Sequence, residues 1–586
     1  MAAIAEARKP RSAFLEFLAI ELAPREGRAL AVAHIATACA ITVAIAMVFR
    51  IPEPTYMAYI VFLISKDERT ATVTTGVGGQ VAVTLAVVLT LGLMLVDLSE
   101  PALRLPAMTL STFVAMYTAR TFALGPITYL AGFVLVMLQS VVDDVPSPEA
   151  LTRVTLWLWV VLFVPIVITV VVNLLFGQSV VLLTQRTVRK VLREMEAALL
   201  ADEVHQHLAR WRELVTPLIG KQPKDGARGR QSAFISVAAL RRLTDALVIL
   251  EALPETNAME ACEVLARKVG SCRAALEGDG ERHGTQGDSK VATGTQVAAA
   301  VPFAPAVLAC EAALAAFQRE IEQPGAAPAA AAHKRQLFVP DAFTNPAHWQ
   351  FALKTTLAVM VVYFIYTMLD WPGMRTSIVT CFFVALGSLG ETIHKLVLRI
   401  SGALIGGLIA GLCIVFVLPH MTDIGELCLL IAVVSAGAAW VATSSELLAY
   451  AGLQIAFAFF LGILQGYAPA TDLTVLRDRV AGILLGNLVM TLVFTLLWPQ
   501  SATSKFQAAV TEALGAIGEV RNRSGDPAEA RVRTAQALVR AHQFNLVRRF
   551  ELSMLPKRSR ESVRAPQVTE VERSAGEAFV ATYDIT

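Results

Sequence analysis

Residues 396–417 read LVLRISGALIGGLIAGLCIVFV, an apolar run carrying one charge, Arg399. A helix that crosses the ~30 Å hydrocarbon core of a bilayer needs about 20 such residues, and this run has the length. Gly402 and Gly406 stand four apart, on one helical face, where the missing side chains let two backbones approach. Arg399 lies one turn earlier on that face. The form R-x-x-G-x-x-x-G returns in Arg479-Val480-Ala481-Gly482-Ile483-Leu484-Leu485-Gly486. An ionisable residue inside such a run is costly, and it calls for a cavity or a partner.

Working outward, the same length criterion finds spans at 29–49, 54–65, 71–96, 106–122, 125–142 and 153–176. A second set lies at 348–369, 376–388, 396–417, 424–442, 447–464 and 476–498. The 54–65 and 376–388 runs are short and need shelter from neighbours. Of the 586 residues, 55% are hydrophobic and 17% charged, against about 45–50% and about 25% in soluble domains. Disordered, fibrous and small secreted classes are excluded. The expected fold is an all-α integral membrane protein: two parallel six-helix transmembrane repeats with cytosolic helical segments. The expected divisions are an N-terminal arm 1–28, a bundle 29–176, a cytosolic helical domain 177–347, a second bundle 348–498, and C-terminal helices and tail 499–586. Helices are expected over 179–217, 231–250, 255–276, 303–322, 502–522 and 527–551, with linkers Gly278–Gly294 and Gln323–Ala332 and a mobile tail over the last thirty or so residues.

The two halves read as a repeat at an offset of about 320. His34 stands before Pro52 as Lys354 stands before Pro372, and Ala131-Gly132 falls on Ala451-Gly452. An even number of spans per half leaves both termini and the middle segment on one side. The basic residues of the arm, then Arg186, Arg189, Lys190 and Arg193, then Lys334 and Arg335, put that side in the cytoplasm. Six arginines, Arg50, Arg104, Arg153, Arg375, Arg477 and Arg479, then fall at outer ends and need a reason.

Candidate substrate-binding or coupling residues are His34, Lys354, Arg399, Arg479, Glu446 and Asp478. Cations at depth attract an anion, and histidine takes a proton near neutral pH. Each has a plainer role. Lys354 can snorkel, Asp478 can neutralise its two arginine neighbours, and Glu446 can be an interfacial charge. Gly402, Gly406, Gly482 and Gly486 are candidate helix-packing positions. No P-loop, H-E-x-x-H, G-x-S-x-G or Cys/His metal spacing occurs, so no catalytic residue, metal or cofactor is expected. The net charge of +2 gives no reason to expect a nucleic-acid partner.

The R-x-x-G-x-x-x-G strings, the run Glu391, Thr392, Lys395, Arg399 before the first of them, and the segment Glu100-Pro101-Ala102-Leu103-Arg104-Leu105-Pro106 resemble the fusaric acid resistance family, which includes aromatic acid exporters and MdtO-like efflux subunits. The first half departs from the pattern, with Val73 and Leu156 where an arginine and a glycine would match. The resemblance implies a bacterial inner-membrane, multi-pass efflux transporter with cytoplasmic termini, exporting aromatic carboxylic acids or amphipathic toxic compounds on the proton gradient. It also implies a periplasmic membrane-fusion adaptor and an outer-membrane channel as partners, besides membrane lipid and an anionic aromatic substrate. A homo-oligomer stays open, as do two other readings: an anion channel of the same fold, and a membrane scaffold binding a partner through its cytosolic helices.

Overall fold

The computed structural model describes residues 21–23, 27–66, 68–95, 100–145, 147–201, 203–221, 235–253, 259–277, 304–322, 337–384, 389–444, 446–467, 474–498, 502–522, 526–554 and 568–582. Most of the N-terminal arm and both expected linkers lie outside them. The chain divides into two compact units, 1–178 with 335–500, and 179–334 with 501–586.

The first unit contains α1 (Arg28–Val48), α2 (Pro54–Ile64), α3 (Arg69–Met94), α4 (Pro101–Thr121), α5 (Gly125–Gln139) and α6 (Pro148–Phe176). The second unit contributes α7 (Val180–Leu200), α8 (Val204–Val215), α9 (Val237–Ile249), α10 (Met259–Glu277) and α11 (Ala304–Glu322). The first unit resumes with α12 (Pro346–Met368), α13 (Thr376–Val384), α14 (Leu389–Phe416), α15 (Ile424–Ala442), α16 (Glu446–Ile463) and α17 (Thr474–Leu496). The second unit closes with α18 (Ala502–Arg521), α19 (Pro527–Met554) and α20 (Val568–Thr582).

Among the described residues seven helices are long and apolar enough to cross a membrane: α1, α3, α6, α12, α15, and the parts His394–His420 and Arg477–Leu496 around α14 and α17. The other expected spans are largely helical over their described residues without meeting that criterion. Arg104, Pro106 and Arg120 interrupt the apolar character of α4. Helix α2, at 11 residues, reaches only about 16 Å, and it packs against α6 and α16.

Proline pre-sets the first turn of α2, α4, α5, α6 and α12, where the missing N–H is one the helix does not use. The ends of α1 and α12 share one geometry. Arg50 and Asp370 both take the left-handed conformation, at φ 48° and 49°. Ile51 N–H bonds the Ala46 carbonyl and Trp371 N–H the Tyr366 carbonyl, each at 2.9 Å. These are the 6→1 bonds of a Schellman stop. Helix α1 packs on α15 and α12 on α4; α3 packs on α5 and α14 on α16; α2 packs on α6 and α13 on α17.

The second unit is a helical domain around Trp211, Phe317, Phe506 and Phe579, all fully buried. The expected helix over 179–217 is two, broken after Leu200, so that Val188, Leu192 and Met195 of α7 and Leu208 and Val215 of α8 reach the same core. The expected mobile tail is also corrected. Residues 568–582 form α20, whose Val571, Ala575, Ala578 and Phe579 are buried. Their three-and-four spacing is that of an amphipathic helix, and Arg212 binds Glu572 and, at 3.1 Å, Glu251.

Candidate functional site

A cavity of about 480 Å³ opens in the first unit at the end that carries the 65–68 and 442–446 connections. His34 of α1, Lys66, Asn173 of α6, Gln178, and Tyr450 and Leu453 of α16 line it. Two of these side chains are cations or can become so, and Phe62 and Leu453 give it an apolar wall. The rim is suited to an amphipathic anion.

Tyr450 also closes off a deeper group. Its hydroxyl accepts a 2.8 Å hydrogen bond from Arg399 Nη1, and Lys395 Nζ stands 5.2 Å from its ring. Arg399 is 1% exposed and sits ten residues into α14, about 15 Å along it. Its Nε and Nη2 are buried without hydrogen-bond partners, although an unpaired buried donor costs about 1–3 kcal/mol. Among the described residues no carboxylate forms an ion pair with it.

The opposite end of the unit repeats the arrangement. Arg479 Nη1 donates to the Tyr56 hydroxyl at 2.9 Å and to Thr376 Oγ1 at 3.0 Å. Between the two arginine–tyrosine pairs the helices close on one another. A void of only about 10 Å³ remains among the mostly apolar Ala403, Phe457, Ala458, Leu461 and Ile483, with Gln454 and Arg479 also lining it, too small for more than about one water. The order is therefore cavity, Tyr450, Arg399, apolar constriction, Arg479, Tyr56.

The glycine strings set this closeness. A Cβ on Gly402 would stand 2.7 Å from Gln454 Cβ and 2.8 Å from the Ala451 carbonyl oxygen, and one on Gly406 would collide with the Ile455 carbonyl. On Gly482 it would meet the Met374 carbonyl at 2.9 Å and on Gly486 Thr380 Cβ at 2.6 Å. Gly402 and Gly406 thus seat α16, which carries Tyr450, against α14, which carries Arg399.

Other candidates stand elsewhere. Lys354, 2% exposed, donates to the Trp498 carbonyl at 2.9 Å and lies 4.9 Å from the Phe494 ring, so it and His34 do not meet. Asp478 pairs with Arg477 at 2.9 Å. Glu446 begins α16, and its side chain lies outside the described residues. Arginines expected at outer ends have partners: Arg104 donates to the Tyr363 hydroxyl at 3.3 Å, Arg153 pairs with Glu149 at 2.7 Å, and Arg375 pairs with Asp144. Nothing in the sequence marks Tyr56, Lys66 or Tyr450. Their partners in space are remote in the chain, and only a tyrosine near a helix end would have hinted at them.

Both arginines and both glycine strings fall in one matched segment. Residues 345–493 match the fusaric acid resistance protein-like family. The resemblance read from the strings is borne out over that segment. Relatives called multidrug resistance protein MdtO, from Escherichia coli O157:H7 and Shigella flexneri, are 37% identical over 194 residues, 33% of this chain and 28% of theirs. The relative from Escherichia coli strain K12 is 37% identical over 181 residues, 31% of this chain and 26% of its own. The matched stretch thus spans little more than a quarter of these relatives. No solved structure matches the chain. His34 and Tyr56 lie outside the family match, and Arg399, Tyr450 and Arg479 inside it.

Proposed function

We propose that the chain is an efflux transporter of a bacterial inner membrane, exporting aromatic carboxylic acids or amphipathic toxic compounds. The observation that carries this reading is Arg399, buried with two unpaired N–H groups and separated from an open cavity by one tyrosine. A carboxylate leaving water needs a charge partner, and a planar guanidinium engages it through two hydrogen bonds while keeping its own charge. Arg399 captures the anion from the cavity side. Arg479 takes it beyond the constriction, and the closed constriction prevents leakage between the two.

The finer parts of the reading have their own supports. Two parallel six-helix repeats are supported by the shared helix stops at Arg50 and Asp370 and by the reciprocal packing of α1 on α15 and α12 on α4. Cytoplasmic termini follow from the basic flanks, which makes the cavity end the cytosolic one. Proton coupling has a candidate in His34 on the cavity wall. A periplasmic adaptor and an outer-membrane channel are what the family resemblance implies, and short connections such as 464–473, whose ten residues extend at most about 36 Å, agree with it. The relatives' name, multidrug resistance protein, agrees with export of several compounds.

Resistance of a strain relying on this chain tests the reading. Arg399→Gln and Arg479→Gln should abolish resistance to acidic aromatics at unchanged protein level, while resistance to a neutral compound survives better. Equal loss for both, or loss of the protein, returns the arginines to a structural role.

A further inference from the structure

The offset of 320 that relates the two halves gives many walls of the His34 cavity a counterpart among the described residues. His34 falls on Lys354 and Phe62 on Phe382. Several lining positions change size, Tyr450 to the smaller Leu130 and Ala442 to the larger Phe122 among them. Ala31, Leu63, Ala449 and Leu453 fall on Phe351, Phe383, Tyr129 and Phe133. The first four line the open cavity. The second four are packed: Phe133 stands 5.4 Å from Phe382 and 5.3 Å from Phe383, Tyr129 lies 6.1 and 6.2 Å from the same rings, and Arg120 stacks 4.7 Å over Phe351. These are edge-to-face separations of a filled aromatic cluster. Lys354 is likewise held, on the Trp498 carbonyl, whereas His34 Nε2 has no partner. The chain entering α12 ties the rim shut, with Val339 N–H on the Thr121 carbonyl at 2.9 Å and Ala123 N–H on the Leu337 carbonyl at 2.7 Å.

We infer that the two related pockets have diverged: the His34 cavity is the one binding site for an amphipathic aromatic carboxylate, and its counterpart is a permanent aromatic plug. This rests on the repeat and the substrate class proposed above. Its consequence is that substrate enters through one side of the pair only. The carboxylate meets His34 and Lys66, and the ring meets Phe62 and Leu453. The plug is structural, a core that braces α5 against α13, and it never opens during export.

Exchanging the residues between the two sites tests this, with radiolabelled salicylate as probe on the purified full chain. Ala449→Tyr or Ala31→Phe should weaken binding by at least about tenfold, because overpacking fills the site. Phe133→Leu with Phe383→Leu should leave affinity within about twofold and stoichiometry at one. Wild-type binding by both filled variants, or a second equivalent of salicylate in wild type or in the opened variant, overturns the inference. Should the filled variants misfold, labelling decides. In a Cys428→Ser chain, Ala449→Cys should react with a small thiol reagent and be protected by salicylate, and Phe133→Cys should not react. An unprotected Ala449→Cys, or a reactive Phe133→Cys, also overturns it. The two readings fail separately: normal resistance in Arg399→Gln rejects the arginine route and leaves the cavity, whereas acid-selective loss in Arg399→Gln alongside full salicylate binding by Ala449→Tyr rejects the cavity alone.

Discussion

A guanidinium at 1% exposure with two nitrogens unpaired is costly to bury. One tyrosine hydroxyl offsets part of that cost. If a carboxylate takes the place of that hydroxyl, Tyr450 competes with substrate. Tyr450→Phe removes the competitor and leaves a third N–H unpaired, at about 1–3 kcal/mol. Transport assays should then find a lower KM for acidic aromatics, by a few-fold to about tenfold, with little change for neutral compounds. A raised KM would make Tyr450 a direct ligand and not a competitor. At the other pair, Tyr56→Phe leaves Arg479 its Thr376 bond, so its effect on uptake into the cavity should be small.

Helices α14 and α16 meet at Gly402 and Gly406, where added carbon atoms would run into carbonyl oxygens of the partner backbone. Backbone cannot yield as a flexible side chain does, so Gly406→Leu should cost the folded protein outright. Its level in membranes, by immunoblot, should fall well below that of Leu408→Ala on the exposed face of the same helix; equal levels would remove the contact. In the second unit the element at stake is α20. Arg212 serves two carboxylates, Glu251 and Glu572, and His205 Nδ1 lies 3.8 Å from Glu251. Burial first, and Glu251 second, push the Glu572 carboxyl above its ordinary range, against the pull of Arg212. A raised folded pKa gives a contribution that is full below the unfolded value, about 4.3, and is lost as pH rises through the folded one. Hydrogen exchange in the full chain should show residues 568–582 better protected in mild acid than at neutral pH. Glu572→Gln should flatten that dependence, and protection that grows with pH would contradict it. Arg212→Met leaves both carboxylates buried without their cation, at about 3–5 kcal/mol, and should expose α20 to proteolysis.

At the scale of the whole chain the orientation carries the direction of export. With cytoplasmic termini the His34 cavity faces the cytosol and Arg479 faces outward. Ser147→Cys should react with an impermeant thiol reagent in intact spheroplasts and Ser289→Cys should not. The opposite pattern would turn the cavity outward and make the same arrangement one of uptake. Two units also separate two kinds of mutation. Changes at Arg399 or Arg479 should leave the α20 docking untouched, because both arginines belong to the first compact unit and α20 to the second.

The sequence by itself determined where the helices lie, that several can cross a bilayer, and that Arg399 and Arg479 need partners. Those properties are local: apolar length, glycine spacing and the solvation of a charge depend on residues within a few turns. It also determined the family likeness of residues 345–493, since the strings that carry it are contiguous. Only the tertiary structure decided which groups satisfy the arginines. Tyr450 is 51 residues from Arg399 and Tyr56 is 423 from Arg479, and no periodicity pairs residues so distant. The difference between an open cavity and an aromatic plug lies in positions such as Ala449 and Tyr129, but a phenylalanine or tyrosine on an apolar helix reads alike whether it faces lipid, core or cavity. The docking of α20 was hidden because the amphipathic pattern of residues 568–582 fixes a helix with one apolar face but not what that face packs on, which the core around Trp211 and Phe579 supplies.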